Sequence, residues 1–135
     1  MNRKVQFLAK ISMIFVGWFV MMAPASAHNP ELAMLDSLNK GAWQLRFRNG
    51  DNIQRICLRT GRELIQIRHT EPGCSRYVVQ DDADEVTVQY TCRGNGYGRT
   101  SIRKESSGLV QITSTGMFGG SPFRLQGEGR RISRC

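Results

Sequence analysis

From Cys74 to the C-terminus, turn signals recur about every ten residues, and this spacing most restricts what the chain can fold into. The breaks are Asp81-Asp82-Ala83-Asp84, Gly94-Asn95-Gly96, Ser106-Ser107-Gly108 and a looser Gly-rich stretch from Gly116 to Pro122. The runs between them leave no room for a crossover helix, so consecutive strands must pair antiparallel. In the clearest run, Val86, Val88, Tyr90 and Cys92 alternate with Thr87, Gln89 and Thr91, the period of a half-buried strand. The other runs centre on Tyr77–Val79, Tyr97–Lys104, Leu109–Thr115 and Phe123–Ile132.

Upstream, Trp43, Leu45 and Phe47 alternate with Gln44, Arg46 and Arg48, giving an apolar face and an arginine face. Asn49-Gly50-Asp51 then turns the chain into a second strand, Ile53–Leu58, since Asn-Gly supplies the positive φ that tight hairpins need. Glu31–Lys40 carries Leu32, Leu35 and Leu38 at helical spacing and ends at Gly41. Thr60-Gly61-Arg62-Glu63 matches a capping box and predicts a helix of two turns that buries Leu64, Ile65 and Ile67 and stops at Pro72-Gly73. The expectation is an all-β domain. Its core is an antiparallel β-meander of about seven strands, a curved sheet closing toward a small barrel or sandwich, with one or two short helices.

The first 27 residues read differently. Arg3, Lys4 and Lys10 precede an uncharged apolar run from Ile11 to Met22, and Ala25-Ser26-Ala27 is an A-x-A cleavage signature. Residues 1–27 are therefore expected to be a signal peptide, and 28–135 a single mature domain in the periplasm or fully secreted. The apolar run is about 12 residues, against about 20 for a spanning helix, so the mature chain is not expected to span a membrane. It carries 16 basic residues, 14 of them Arg, against 11 acidic ones.

All four cysteines, Cys57, Cys74, Cys92 and Cys135, lie in the mature part. An even count in a small exported chain predicts two disulfides. Of the three possible pairings, the expected one joins Cys57 to Cys74, clipping the loop between the second and third strands. It joins Cys92 to Cys135, tying the C-terminus to a central strand.

Several of these residues form a pattern: Gly41-x-Trp43, Cys57, Cys74, Val88-x-Tyr90-x-Cys92 with the glycines after it, and Glu128-Gly129-Arg130-Arg131 before Cys135. The pattern resembles a family of small exported bacterial proteins grouped as a domain of unknown function, from about Gly41 to Cys135. The resemblance implies export, disulfides and a compact all-β domain, and no activity.

Catalytic chemistry has little to stand on. The cysteine spacings lack the close pairs of structural zinc sites. His28 and His69 are the only histidines. Cleavage after Ala27 would leave His28 N-terminal, where amine and imidazole together can chelate Cu(II), with His69 as a further ligand; the plainer reading makes His69 a surface loop residue. No G-x-S-x-G elbow is present. Asp81, Asp82, Asp84 and Glu85 read as a solvated hairpin tip rather than an acid–base pair. The stretch Arg93-Gly94-Asn95-Gly96-Tyr97-Gly98-Arg99 could cradle an anion, or simply turn a hairpin.

Arginine is the more suggestive feature. Arg46, Arg48, Arg93, Arg99, Arg103, Arg124, Arg130 and Arg131 lie on or beside predicted strands and form candidates for an anion-binding face. The leading expectation is a non-enzymatic envelope binding module without a cofactor. Its partner would be an envelope component, with anionic ones as candidates, and not nucleic acid. The alternatives are a binder of a small apolar or anionic ligand in a barrel-like cavity, and a metal-dependent or hydrolytic enzyme. A large apolar cavity would favour the first alternative; convergent polar groups around His69 would favour the second.

Overall fold

The structure, a computed structural model, describes residues 31–48 and 53–135. The leader, His28 and the Asn49-Gly50-Asp51 turn lie outside the described residues. A short helix α1 (Ala33–Asp36) is followed by β1 (Gly41–Phe47), β2 (Ile53–Leu58), a 3-10 turn (Arg62–Leu64), β3 (Ser75–Asp81), β4 (Glu85–Cys92), β5 (Gly96–Ser106), β6 (Leu109–Phe118) and β7 (Ser121–Ser133). The seven strands form one antiparallel sheet in the order β2-β1-β7-β6-β5-β4-β3.

The meander holds from β3 to β7 and then departs from simple succession. β2 does not pair with β3; instead β7 returns alongside β1. Glycine makes that return possible: a Cβ on Gly127 would collide with the Arg46 carbonyl, and one on Gly129 would sit 3.0 Å from the Leu45 side chain. The sheet therefore has two free edges, β2 and β3, and does not close into a barrel. Seven strands laid flat would separate those edges by about 29 Å. Yet Gln54 and Ile56 of β2 and Arg76 of β3 line one groove, so the sheet is strongly curled.

The concave face holds the core. Trp43, Leu45, Val86, Val88, Tyr90, Ile102, Val110 and Ile112 are each at most 1% exposed, and Leu35, Leu38, Leu64 and Ile65 close over them. Tertiary burial, rather than the length of the local pattern, sets both helical segments. α1 is a single turn whose neighbours Leu32 and Leu38 are buried outside it. The segment after Thr60 forms one 3-10 turn, not two helical turns. Its capping chemistry is nonetheless present: Glu63 accepts from the Thr60 and Arg59 amides at 3.1 and 3.2 Å, and the Thr60 hydroxyl accepts from the Arg62 amide.

The disulfides are Cys57–Cys135 and Cys74–Cys92, not the expected Cys57–Cys74 and Cys92–Cys135. The sheet order explains both. Ala42 of β1 pairs with Cys57 on one side and Ser133 on the other, so the C-terminal tail ends beside β2 and away from β4. Ser75 pairs with Thr91, which brings Cys74 opposite Cys92 at a Cα separation of 4.3 Å. Two disulfides match an oxidising, extracytoplasmic setting.

Candidate functional site

His69 is fully buried, where the sequence suggested a surface loop. It sits at the end of the segment that crosses from β2 to β3. Nε2 lies 3.3 Å from the Asn95 carbonyl and Nδ1 lies 3.0 Å from the Tyr90 hydroxyl. A carbonyl only accepts, so Nε2 carries the proton and Nδ1 accepts from Tyr90. The ring is edge-on to Tyr90 and Phe118. Burial pushes the Tyr90 phenol up from its ordinary value, the Ser114 hydroxyl opposes that, and the Glu71 charge adds to it. His69 is thus a brace between the crossing segment and the β4–β5 turn.

Polar groups do converge around His69, but each is already engaged. Ligand atoms of His69, Glu71 and Cys92 lie within 4.8 Å of one another. Cys92 is oxidised to a disulfide, both His69 nitrogens are bonded, and Glu71 accepts from the Asn95 amide at 2.6 Å. Those engagements leave this set poorly suited to a metal; His28, the other half of the copper candidate, lies outside the described residues.

The glycine-rich turn serves the fold. Gly94 and Gly96 have φ of 80° and 120°, and the Asn95 amide closes on the Cys92 carbonyl. The Asn95 carbonyl points inward, accepting from His69 and from Gly119 at 3.1 Å. The acidic tip is exposed, and Asp81 accepts from the Leu32 amide at 2.8 Å.

The arginines divide. Arg46, Arg48, Arg99, Arg103, Arg124 and Arg130 all project from the convex face and are exposed; Arg55, not singled out from the sequence, joins them from β2. Arg93 stands on the β4–β5 turn. Arg131 points to the other face and donates to the Lys40 carbonyl at 2.8 Å. Register sets the rows: Arg46–Glu128–Gln111–Arg103–Glu85 runs across β1, β7, β6, β5 and β4. Arg99–Thr115–Arg124 runs across β5, β6 and β7, which puts the two arginines about 10 Å apart. Among the described residues, this face carries seven arginines against Glu85, Glu105 and Glu128. Glu105 and Glu128 pair with Arg103 and Arg130 at 2.8 and 3.9 Å. A shallow depression of about 210 Å³ lies between Arg48 and Arg103, floored by Ser101, Gln111, Thr113 and Gln126.

Among the described residues, the concave interior is filled by the buried core. The groove at the free edges has a volume of about 490 Å³, with Ile56, Ile67 and Pro72 on its walls and Arg62, Glu63, Gln66 and Arg76 at its rim. Arg62 is bonded to Asp36 at 2.6 Å, and Arg76 to Gln66 at 2.6 Å.

Comparison with protein-family models, with curated proteins and with solved structures gives no match to this chain.

Proposed function

We propose that this chain is an exported, non-enzymatic module of the periplasm that binds an anionic component of the envelope across the convex face of its sheet. Signal cleavage after Ala27 delivers it there, and the resemblance to small exported bacterial proteins agrees with that route. One observation carries the reading: among the described residues, seven exposed arginines share one sheet face with three carboxylates. A guanidinium array on a rigid ladder presents donors at fixed spacing, suited to carboxylate or phosphate groups repeated along a ligand. The sealed state of His69 supports a module without catalysis, because this imidazole, the one among the described residues, has no free nitrogen to offer a substrate.

The experiment is retention on an immobilised polyanion over a salt gradient. The wild-type protein is expected to bind at low salt and to release as salt screens the face. Arg99→Glu with Arg124→Glu abolishes retention, whereas Arg68→Glu with Arg76→Glu, the same change in charge placed off that face, leaves it nearly unchanged. Equal losses from both variants would reduce the effect to net charge and remove the face from the account.

A second reading rests on the groove between β2 and β3, whose volume is that of a small-ligand site. It calls for a ligand with an apolar body and an anionic end. Extraction of the purified protein with organic solvent, followed by mass spectrometry, tests it.

A further inference from the structure

Two tyrosines on the convex face are out of keeping with a surface that reads charge alone. Tyr77 of β3 is 71% exposed and Tyr97 of β5 is 50% exposed. Each ring carries a substantial apolar area with a polar tip, the combination that enriches tyrosine at binding surfaces. Register fixes their relation. Tyr77 pairs with Gln89, which pairs with Arg99; Tyr97 pairs with Thr91, which pairs with Ser75. The two tyrosines therefore lie diagonally across β4, about 12 Å apart at their Cα atoms, with Gln89 and Thr91 between them.

The composition around the rings points to one kind of ligand. The convex sides of β4, β5 and β6 carry mainly amides and hydroxyls, including Gln89, Thr91, Ser101, Gln111, Thr113 and Thr115. A protein interface centres on a broad contiguous apolar core; on this face the apolar row Tyr97–Met117–Pro122 is one residue wide and is flanked by Arg99, Thr115 and Arg124. A sugar ring has an apolar C–H face for a tyrosine, hydroxyls for amide and hydroxyl groups, and, in acidic sugars, a carboxylate for an arginine. Arg99 stands in register with Tyr77 through Gln89, and Arg124 follows one strand beyond Thr115.

We infer that the anionic component is an acidic polysaccharide, gripped by Tyr77 and Tyr97 on its ring faces and by Arg99 and Arg124 on its carboxylates. This inference rests on the anion-binding reading of the same face and sharpens it.

Titration of the oxidised protein with uronic-acid oligosaccharides, in parallel with polyphosphate of matched charge, tests it. Tyr77→Ala and Tyr97→Ala are expected to weaken oligosaccharide binding about tenfold each and to leave polyphosphate binding within about twofold. Arg99→Gln is expected to weaken both. Both tyrosines are exposed, so the variants should fold, and an unchanged circular dichroism spectrum checks this. If the oligosaccharide binds no better than polyphosphate and the tyrosine variants match wild type on both, the polysaccharide assignment is wrong while the charged face stands. If neither probe binds, both readings fall.

Discussion

Cys57 and Ser133 face the same residue, Ala42, from opposite sides, so the Cys57–Cys135 disulfide crosses the outside of β1 and ties both its neighbours together. The other disulfide, Cys74–Cys92, extends the β3–β4 ladder by one pair. The two bonds close loops of very different length, with separations of 78 and 18 residues. In chain-entropy terms they contribute about 4.5 and about 3 kcal/mol. Replacing Cys57 and Cys135 by Ala should therefore lower the unfolding free energy more than replacing Cys74 and Cys92, as denaturant melts would read. A non-reducing peptide map should recover these two linkages and no others.

The His69–Tyr90 contact should be a stabilising bond in its own right. Tyr90→Phe leaves a buried ring nitrogen without its donor and is expected to cost about 1–3 kcal/mol. His69→Ala also opens a cavity against Phe118 and should cost about 2–5 kcal/mol. A double-mutant cycle should return a coupling of about 1 kcal/mol; additive losses would show that the two groups act separately.

Close backbone approach at Gly116 gives a prediction without polar chemistry. A Cβ there would collide with the Tyr97 carbonyl, whereas one on Gly108 would meet nothing nearer than the Arg131 Cβ at 3.8 Å. Gly116→Ala should cost about 1–3 kcal/mol by forcing β5 and β6 apart. Gly108→Ala should stay within about 0.5 kcal/mol of wild type.

Acid should loosen the segment that crosses from β2 to β3. Burial on its own would raise the Glu63 carboxyl, but the amides of Glu63, Thr60 and Arg59 and the Thr60 hydroxyl hold it below its ordinary 4.5. Glu71 is held below 4.5 by its own backbone amide and by the Asn95 side chain. A carboxylate lowered in the folded state stabilises it fully above the ordinary value, and that contribution disappears as pH falls through the folded value. Stability should be level above about pH 5 and fall below 4.5. Glu63→Gln and Glu71→Gln should flatten that fall, and no change in slope would exclude both groups.

Much of this was legible from alternation and turns, because a strand pattern of period two survives any choice of partner. β3 to β7 follow the sequence breaks for that reason. Even the Cys74–Cys92 bond was within reach, since a hairpin centred on Ala83 brings residues 74 and 92 opposite each other. The return of β7 to β1 was not legible: it depends on the close approach at Gly127 and Gly129, which a single sequence does not distinguish from turn glycines. The burial of His69 was hidden by its polar neighbours, Arg68, Thr70 and Glu71, as the segment turns inward only once the sheet has curled. Of the face itself, most arginines could be listed from the strands. Tyr97 shares the parity of Arg99 and Arg103 and could be placed with them, but the exposure of Tyr77 could not, because Arg76-Tyr77-Val78-Val79 lacks alternation and β3 is a bulged edge strand.

The most direct test of the central claim is a two-dimensional amide NMR titration of the oxidised protein with an acidic oligosaccharide. Shifts are expected only on the convex rows of β3 to β7, centred on Tyr77, Gln89, Tyr97, Arg99 and Arg124. Shifts centred instead on Gln54, Ile67 and Arg76 in the groove between β2 and β3 would contradict it.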